Sequence, residues 1–240
     1  MSFPSEMQYA KKEKWPLIIP VGTLEYHGPH CAFGCDTLIA LGLLKKLEKK
    51  KDIVIFPPLW YGVGSYAVAG PEKNSVTVDA DVFEANVYYI LKSLIYGGWE
   101  NIYLLIHHQY EQETLMPMTL SCMKAAKKLT MGYMEETKGH GWWGSNDYKE
   151  YYEQLNEQDN PFNWIKVLPV MSTDVQNKTG YDHAGEWECS LLSALYPEAV
   201  KIERLVESDE WFIQSAALPS LEKGKEMIRL CVEDLNKKIV

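Results

Sequence analysis

Short apolar runs alternate with longer stretches of near-helical periodicity along most of the chain. Apolar, β-rich runs predict strands at residues 17–22, 53–56, 102–106 and 165–168. Continuous hydrophobicity of this kind is typical of strands that are covered on both faces, as in parallel sheets. Spaced apolar residues predict helices over 36–50, 80–97, 114–130 and 219–239, and another that residues 180–190 open and Pro197 ends. The alternation predicts an α/β fold.

Three stretches fall outside this pattern. Residues 1–15 form a lead-in whose Trp15 we expect to pack on the first helix. The glycine- and aromatic-rich residues 59–71 are too many for a simple connection, and long loops of this type commonly cover binding sites. The ring-rich stretch 132–164 is open to three interpretations: a lid, an oligomer contact or a partly helical insert. Because 240 residues show no compositional break, we expect one domain over 1–240.

The loop after the first strand concentrates polar side chains. Glu25 and His27 are one residue apart, so an extended backbone points both side chains to the same side. His30 follows in the same loop, and Asp36 precedes a helix for which Asp36 or Thr37 would be a natural N-cap. Taken singly, each residue also suits a plain role at the surface, in the loop or as a cap. Together they lie just past a strand, where open α/β sheets keep their ligand sites.

Similar polar groups recur in two later segments. Residues 25–36, 107–113 and 182–188 each carry glutamate, histidine or aspartate in close succession. Zn²⁺ and Mn²⁺ accept imidazole nitrogen and carboxylate oxygen, and a shared carboxylate can hold two ions about 3.5–4 Å apart. The segments therefore predict a binuclear hydrolase site, in which the ions activate water and polarise a carbonyl group.

The general acid/base of such a site is expected to be His183. Its ordinary pKa lies near neutral, and the neighbouring Asp182, Glu186 and Glu188 could orient it. A helix-capping or hydrogen-bonded core histidine is the simpler alternative. The sequence contains no GxSxG, Walker A or GxGxxG pattern, which disfavours a serine hydrolase and a nucleotide-binding protein.

The net charge and the cysteine content restrict the classes of partner and the cellular compartment that we expect. A formal net charge of -9 disfavours nucleic acid and anionic membranes as partners and suits a small neutral or cationic substrate. The chain starts without a signal-peptide pattern and has no long apolar run, so we expect a cytoplasmic protein. Five cysteines without CxxC spacing favour reduced thiols. Cys31 and Cys35 flank the proposed site, and we expect them to fill space rather than bind metal.

Two motifs resemble the creatininase (creatinine amidohydrolase) family. The first is Val21–His30 followed by Gly34–Thr37, and the second is His183–Ser190. The match runs in order along most of the chain. The resemblance implies a three-layer α/β/α sandwich with a mostly parallel sheet, a homo-oligomer that is usually a hexamer, and two divalent ions per chain, Zn or Mn.

Carried over residue by residue, the resemblance implies a metal-binding set. Glu25, His27 and Asp36 would bind metal, with Asp36 bridging the two ions, and Glu111 would bind the second ion. His183 would be the catalytic acid/base and Glu188 a further catalytic carboxylate.

The chain departs from the family pattern after the third predicted strand. Family members usually carry Asn-Gly-His there, whereas here His107, His108 and Gln109 follow the strand. Gln109 thus stands where a histidine ligand is expected. Either His108 replaces that histidine, or the first metal site is altered and includes Gln109.

The substrate follows from the resemblance only as a class. We expect His107, Tyr110 and Trp187 to contact it. Family members act on formamidopyrimidines, on modified peptides and on an inositol-derived cyclic ketone. We expect hydrolysis of a C–N amide bond in a small polar, cyclic substrate. The alternatives are hydrolysis of a C–C bond in an inositol-derived cyclic ketone, and a non-catalytic small-molecule binding protein.

Overall fold

Parallel strands form the centre of the protein. This computed structural model describes residues 3–108, 116–156 and 159–240, and within them the strands are β1 (Leu17–Val21), β2 (Val54–Ile55), β3 (Ile102–Ile106) and β4 (Ile165–Pro169). They pair in the order β2-β1-β3-β4, and every pairing is parallel. Because β1 pairs with β3 along its whole length, both strands end at the same edge of the sheet.

Helices connect the strands and cover both faces of the sheet. In the described ranges the α-helices are α1 (Pro4–Lys12), α2 (Cys35–Leu47), α3 (Ala80–Tyr96), α4 (Pro117–Lys138), α5 (Tyr151–Gln154), α6 (Thr173–Thr179), α7 (Glu186–Leu195) and α8 (Leu221–Lys238). Short 3-10 turns occupy 71–73, 142–144, 146–148, 161–163, 197–199, 202–207 and 211–217. Within these ranges, none of the helices has the length and apolarity that crossing a membrane requires.

Alternate residues of each central strand belong to two hydrophobic cores. Leu17 and Ile19 of β1 pack with residues of α3 and α4, whereas Ile18 packs with residues of α2, α7 and α8. All of β1 and β3 is buried, which is why these strands read as continuous apolar runs. The expected α/β sandwich with a parallel sheet is therefore confirmed.

Several boundaries differ from those expected. β2 is only two residues long, although Phe56 and Leu59 each donate one more backbone hydrogen bond to β1. α4 extends beyond the predicted end at residue 130 to Lys138, and the remainder of 132–164 contains 3-10 turns and α5, so that this stretch is partly helical. The predicted start of this helix, at residue 114, lies outside the described residues.

Two helices were not expected from the pattern. α1 occupies the lead-in, and the ring of Trp15 lies edge-on against Tyr9 of α1 at 5.7 Å. Pro4 at the first helical position and Glu6 at the third are sequence signals of a helix start that could have revealed α1. In the structure, Glu6 Oε2 accepts a hydrogen bond from the Phe3 N–H at 2.8 Å. α6 is short and mostly polar, so it shows no hydrophobic period.

Candidate metal centre

A cavity of about 350 Å³ opens at the edge where β1 and β3 end. Six of its polar residues are almost fully buried: Glu25 is 5% exposed, His27 3%, Asp36 2%, His108 6%, Gln176 7% and Glu188 8%. The described residues that line the cavity are Glu25, His27, Asp36, Val68, Ile106, His107, His108, Met171, Gln176, Tyr181, Asp182, His183 and Glu188. Residues from distant parts of the chain thus converge on one buried polar space.

The loop after β1 holds Glu25 and His27 in place. It can pass close to the start of α2 because residue 22 is glycine: a Cβ there would lie 2.4 Å from Thr37 Oγ1. His27 Nδ1 lies 2.9 Å from the backbone carbonyl of Glu25, so Nδ1 carries the hydrogen and donates it. His27 Nε2 is left facing the cavity, which is the arrangement of most metal-binding histidines.

Asp36 faces the cavity and does not cap its helix. α2 begins at Cys35, its N-cap is Gly34 in the left-handed region at φ 81°, and no side chain caps it. The expected cap at Asp36 or Thr37 is therefore wrong. Asp36 instead lies in the first helical turn, with Oδ1 3.4 Å from His27 Nε2 and Oδ2 3.2 Å from His108 Nδ1.

The two histidines after β3 approach different carboxylates. His108 Nδ1 lies 3.4 Å from Glu25 Oε2 as well as beside Asp36, whereas His107 Nε2 lies 3.3 Å from Glu188 Oε1. Successive residues of an extended chain point to opposite sides, which separates the two imidazoles. His108 thus stands among the predicted metal-binding residues. Gln109, Tyr110 and Glu111 lie outside the described residues.

The start of α7 positions Glu188. Asp182 accepts hydrogen bonds from the backbone N–H groups of Trp187 (3.0 Å) and Glu188 (2.9 Å). Ala184 adopts a left-handed conformation with φ 55°, uncommon for a residue other than glycine, and its N–H donates to Glu188 Oε2 at 2.7 Å. The same oxygen is also 3.5 Å from His27 Nε2, whereas Glu188 Oε1 faces His107.

His183 is held by the loop after β1. Its Nε2 donates to the backbone carbonyl of Tyr26 at 3.0 Å, and its ring lies 4.3 Å from that of His27. Nδ1 then faces Glu25 Oε2 at 3.8 Å. The expectation that Asp182 or Glu186 orients this imidazole is wrong, because Asp182 binds the start of α7 and Glu186 pairs with Lys223.

Trp187 lies on another side of α7. Its ring packs close to Gly180, and Lys223 Nζ lies 4.6 Å from the ring centroid. A residue one position before Glu188 in a helix points about 100° away from it. The expected contact between Trp187 and the substrate is therefore not supported, and Tyr181, Asp182 and His183 line the cavity instead.

Carboxylates and imidazoles shift each other's protonation. Burial lowers the pKa of His27 and His108, but this is outweighed: Glu188 and Asp36 raise the pKa of His27 well above its usual value, and Asp36 and Glu25 raise that of His108 to about 9. Burial also opposes ionisation of Asp36 and Glu188, yet the imidazoles hold the pKa of both carboxyl groups below the usual range. Without metal, protons on the imidazoles balance the buried carboxylates.

The donor set fits divalent cations. Glu25, Asp36 and His108 form one group with ligand atoms within 4.8 Å of one another, and Asp36, His107 and Glu188 form a second group. Asp36 belongs to both. In the part of the chain that the structure describes, Glu25 Oε1 and His108 Nε2 are buried and have no hydrogen-bond partner. Buried polar atoms normally find a partner, so these two atoms point to a ligand.

Some cavity residues gave no sequence signal. Met171 and Gln176 follow β4, and Val68 comes from the long loop at 59–71, of which only a small part reaches the cavity. Cys35, expected to fill space, is fully buried beside His27 and Glu188 within ligand distance of both. The turn after β4, like those after β1 and β3, lies at the carboxyl edge of a parallel sheet, which is the one signal that could have found Met171.

Comparison with known proteins identifies the family. The family model described as Creatininase, creatinine amidohydrolase, matches residues 2–239. Creatinine amidohydrolase of Pseudomonas putida is 23% identical over 243 residues, which cover 91% of this chain and 86% of the relative. The 3-dehydro-scyllo-inosose hydrolase of Thermotoga maritima is 25% identical over 195 residues, covering 80% of this chain and 54% of the relative.

Solved structures share the fold. A structure described as Creatininase Mn superimposes with a TM-score of 0.70 at 20% identity, covering 99% of this chain and 95% of that one. A mutant creatininase of Zn-Zn type gives 0.70 at 19% identity, with 100% and 95% covered. A mutant creatininase complexed with creatine gives 0.68 at 19%, with 99% and 95% covered. With its model matched almost from end to end, the chain belongs to the creatininase family and is a hydrolase.

Proposed function

We propose that this protein is a single-domain, metal-dependent hydrolase that cleaves a C–N amide bond in a small polar, cyclic substrate. One observation carries the proposal: the buried Asp36 carboxylate belongs to two separate groups of potential metal ligands. A carboxylate shared in this way is what a two-ion site requires. The Mn and Zn-Zn creatininase structures agree with such chemistry, and we propose Zn or Mn as the ions.

The proposed ligands divide between two positions. Glu25 and His108 group with Asp36 at one position, and His107 and Glu188 group with Asp36 at the other, with His27 facing Asp36 and Glu188. When bound, divalent ions supply Lewis-acid chemistry and activate water for attack on a carbonyl carbon. His107, first expected to contact substrate, is thus also a candidate ligand. The assignment of Gln109, Tyr110 and Glu111 stays a prediction.

His183 is proposed to carry the proton to the leaving nitrogen. Its Nε2–H is committed to the Tyr26 carbonyl, so Nδ1 is the atom that can take up and release a proton on the cavity side. The side chain is 27% exposed, which lets the proton exchange with solvent.

The cavity suits a small substrate. A volume of about 350 Å³ is at the lower end of the range for small-molecule sites. The residues lining it are mostly polar or acidic, in keeping with a net charge of -9 and with a neutral or cationic substrate. The family resemblance further suggests a homo-oligomer, with a hexamer as the expected form.

A second candidate is hydrolysis of a C–C bond in an inositol-derived cyclic ketone. The 3-dehydro-scyllo-inosose hydrolase of Thermotoga maritima supports it, as a relative that is 25% identical over 80% of this chain. Half-buried His107 adds a polar group at the cavity that could bind a hydroxyl-rich ring.

The experiment combines metal analysis with product analysis. Protein purified without chelator should contain between one and two divalent ions per chain, and chelation should abolish turnover. Creatinine and 3-dehydro-scyllo-inosose would each be incubated with metal-loaded protein, and ring opening followed as a gain of 18 Da by mass spectrometry. Far less than one ion per chain, with no added metal bound, would favour the non-catalytic alternative and reject the proposal.

A further inference from the structure

Two cysteines lie in contact behind the candidate metal centre. Cys31 Sγ is 3.5 Å from Cys189 Sγ, although 158 residues separate them in the chain. Cys31 belongs to the loop that carries Glu25 and His27, and Cys189 follows Glu188 in the first turn of α7. The thiol pair thus joins the two segments that supply the metal centre. All five cysteines of the chain are free thiols.

The backbone holds the two sulfur atoms together. Cys31 forms a β-bridge with Val200, and its neighbours are anchored by the bonds Ala32 N–H to Ala199 O (2.8 Å) and Lys201 N–H to His30 O (2.7 Å). Cys189 is fixed in helix α7 by the bond from its N–H to Gly185 O at 3.0 Å. A disulfide needs sulfur atoms about 2.05 Å apart, so an approach of about 1.5 Å would suffice.

Accessibility differs between the two thiols. Cys31 is half-buried, whereas Cys189 is fully buried. Oxidation to a disulfide in two steps requires this difference in burial. The first thiol has to react with the oxidant, and the second thiol has only to contact the oxidised sulfur of the first.

A metal ion is a weaker explanation of this cluster. His30 Nε2 is 3.1 Å from Cys189 Sγ, but it is also 3.0 Å from the carbonyl of Ala184, so that nitrogen carries a hydrogen and donates it. His30 Nδ1 faces Gly28, where a Cβ would come within 2.7 Å of it. The imidazole therefore offers no lone pair to an ion beside the sulfurs.

We propose that Cys31 and Cys189 form a redox modification site that a peroxide converts to a disulfide. The Cys31 sulfur attacks one peroxide oxygen, the O–O bond breaks, and a sulfenic acid and one water form. The Cys189 sulfur then attacks the Cys31 sulfur, the S–O bond breaks, and the hydroxyl group leaves with the Cys189 proton as a second water. Two thiols are oxidised, one peroxide is reduced, and the loop after β1 becomes bonded to α7.

The test needs neither substrate nor knowledge of the native metal. Reduced full-length protein would be treated with hydrogen peroxide, its remaining thiols alkylated after unfolding, and its mass measured. We expect two of the five thiols to escape alkylation and a peptide cross-linked between Cys31 and Cys189 after proteolysis. Cys31→Ser and Cys189→Ser should each abolish the cross-link, and Cys31→Ser, at a half-buried position, is the variant least expected to disturb folding.

Matched controls are the buried Cys122 and Cys231, which lie in α4 and α8. Cys122→Ser and Cys231→Ser should form the same cross-link as the unaltered chain. A bond between Cys31 and Cys35, a sulfinic acid at Cys31 without any cross-link, or thiols that zinc protects with one ion held by Cys31 and Cys189 would overturn the proposal.

Discussion

Buried polar groups at the two ends of the sheet find very different partners. Near the amino end, the Tyr103 hydroxyl accepts hydrogen bonds from Lys166 Nζ (2.9 Å) and Val240 N–H (3.1 Å) and donates to Val240 O (3.0 Å). At the carboxyl end, Glu25 Oε1 and His108 Nε2 are buried without a hydrogen-bond partner among the described residues. Both ends belong to the same parallel sheet and the same two cores.

This difference in hydrogen bonding distinguishes polar groups that stabilise the fold from polar groups that are positioned to bind a ligand. An unsatisfied buried polar atom costs about 1–3 kcal/mol, so a protein seldom keeps several together unless something else occupies the space. The amino end uses its hydroxyl to fix neighbouring backbone and side chains. The carboxyl end holds carboxylates and imidazoles around a cavity, which makes it the functional end.

Removing the shared carboxylate should have the largest effect. If Asp36 serves both ligand groups, Asp36→Ala should lose metal content and bring turnover to background, because a ligand is lost from both positions. Metal content by atomic spectroscopy and turnover would be measured together. The matched control is Asp81→Ala, since Asp81 is exposed and has the same place in α3 that Asp36 has in α2. Full metal content in Asp36→Ala would refute the shared role.

Removal of the proposed acid/base should lower the rate and spare the metal. We expect His183→Ala to reduce turnover by roughly 10²–10⁴-fold while metal content stays unchanged. His183 also lies in a group with Glu25 and His27 that could hold an ion, so loss of metal in this variant would reassign it as a ligand. His140→Ala, at an exposed histidine, serves as the control.

Metal affinity should fall as the pH is lowered. The pKa of His108 is raised to about 9, so below that pH a proton must leave before the imidazole can bind metal. For each proton displaced, apparent affinity should drop about tenfold per pH unit. In the metal-free protein the same proton contributes stability that is fully present below about pH 6.5 and is lost as the pH rises through about 9.

Competition titration with a chelator between pH 6 and 8 would measure this slope. His108→Ala should flatten it, whereas His140→Ala should leave it unchanged. An affinity that is the same at both ends of this range would contradict a protonated imidazole in the metal-free centre.

The fold was largely predictable because its signals are local. β1 and β3 are covered on both faces, so each is a continuous apolar run that the sequence displays directly. α6 could not be predicted, since its seven residues are mostly polar and too few to show a helical period. The strand predicted at 53–56 was longer than β2 because an apolar run does not show how many of its residues pair with a neighbouring strand.

The site was only partly predictable because it combines distant segments. Glu25 and Asp36 stand out in one short stretch, and the structure brings both to the cavity. Asp36 was expected to cap its helix because the sequence does not show that α2 begins one residue earlier, at Cys35. The substrate contact expected of Trp187 is not supported for a similar reason: only the orientation of α7 shows that its side chain points away from that of Glu188. The contact between Cys31 and Cys189 depends on folding across 158 residues.

At the amino end of the sheet, removal of a polar group should affect stability alone. Tyr103→Phe deletes the hydroxyl that links β3 to Lys166 and Val240 while keeping the buried ring. Lys166 is only half-buried and can turn to water, so we expect the free energy of unfolding to fall by about 1 kcal/mol in urea denaturation. Metal content and turnover should match those of the unaltered protein, because the hydroxyl lies at the opposite end of β3 from the cavity. A clear loss of metal or turnover in Tyr103→Phe would show that the two ends are coupled and that the division drawn between them is wrong.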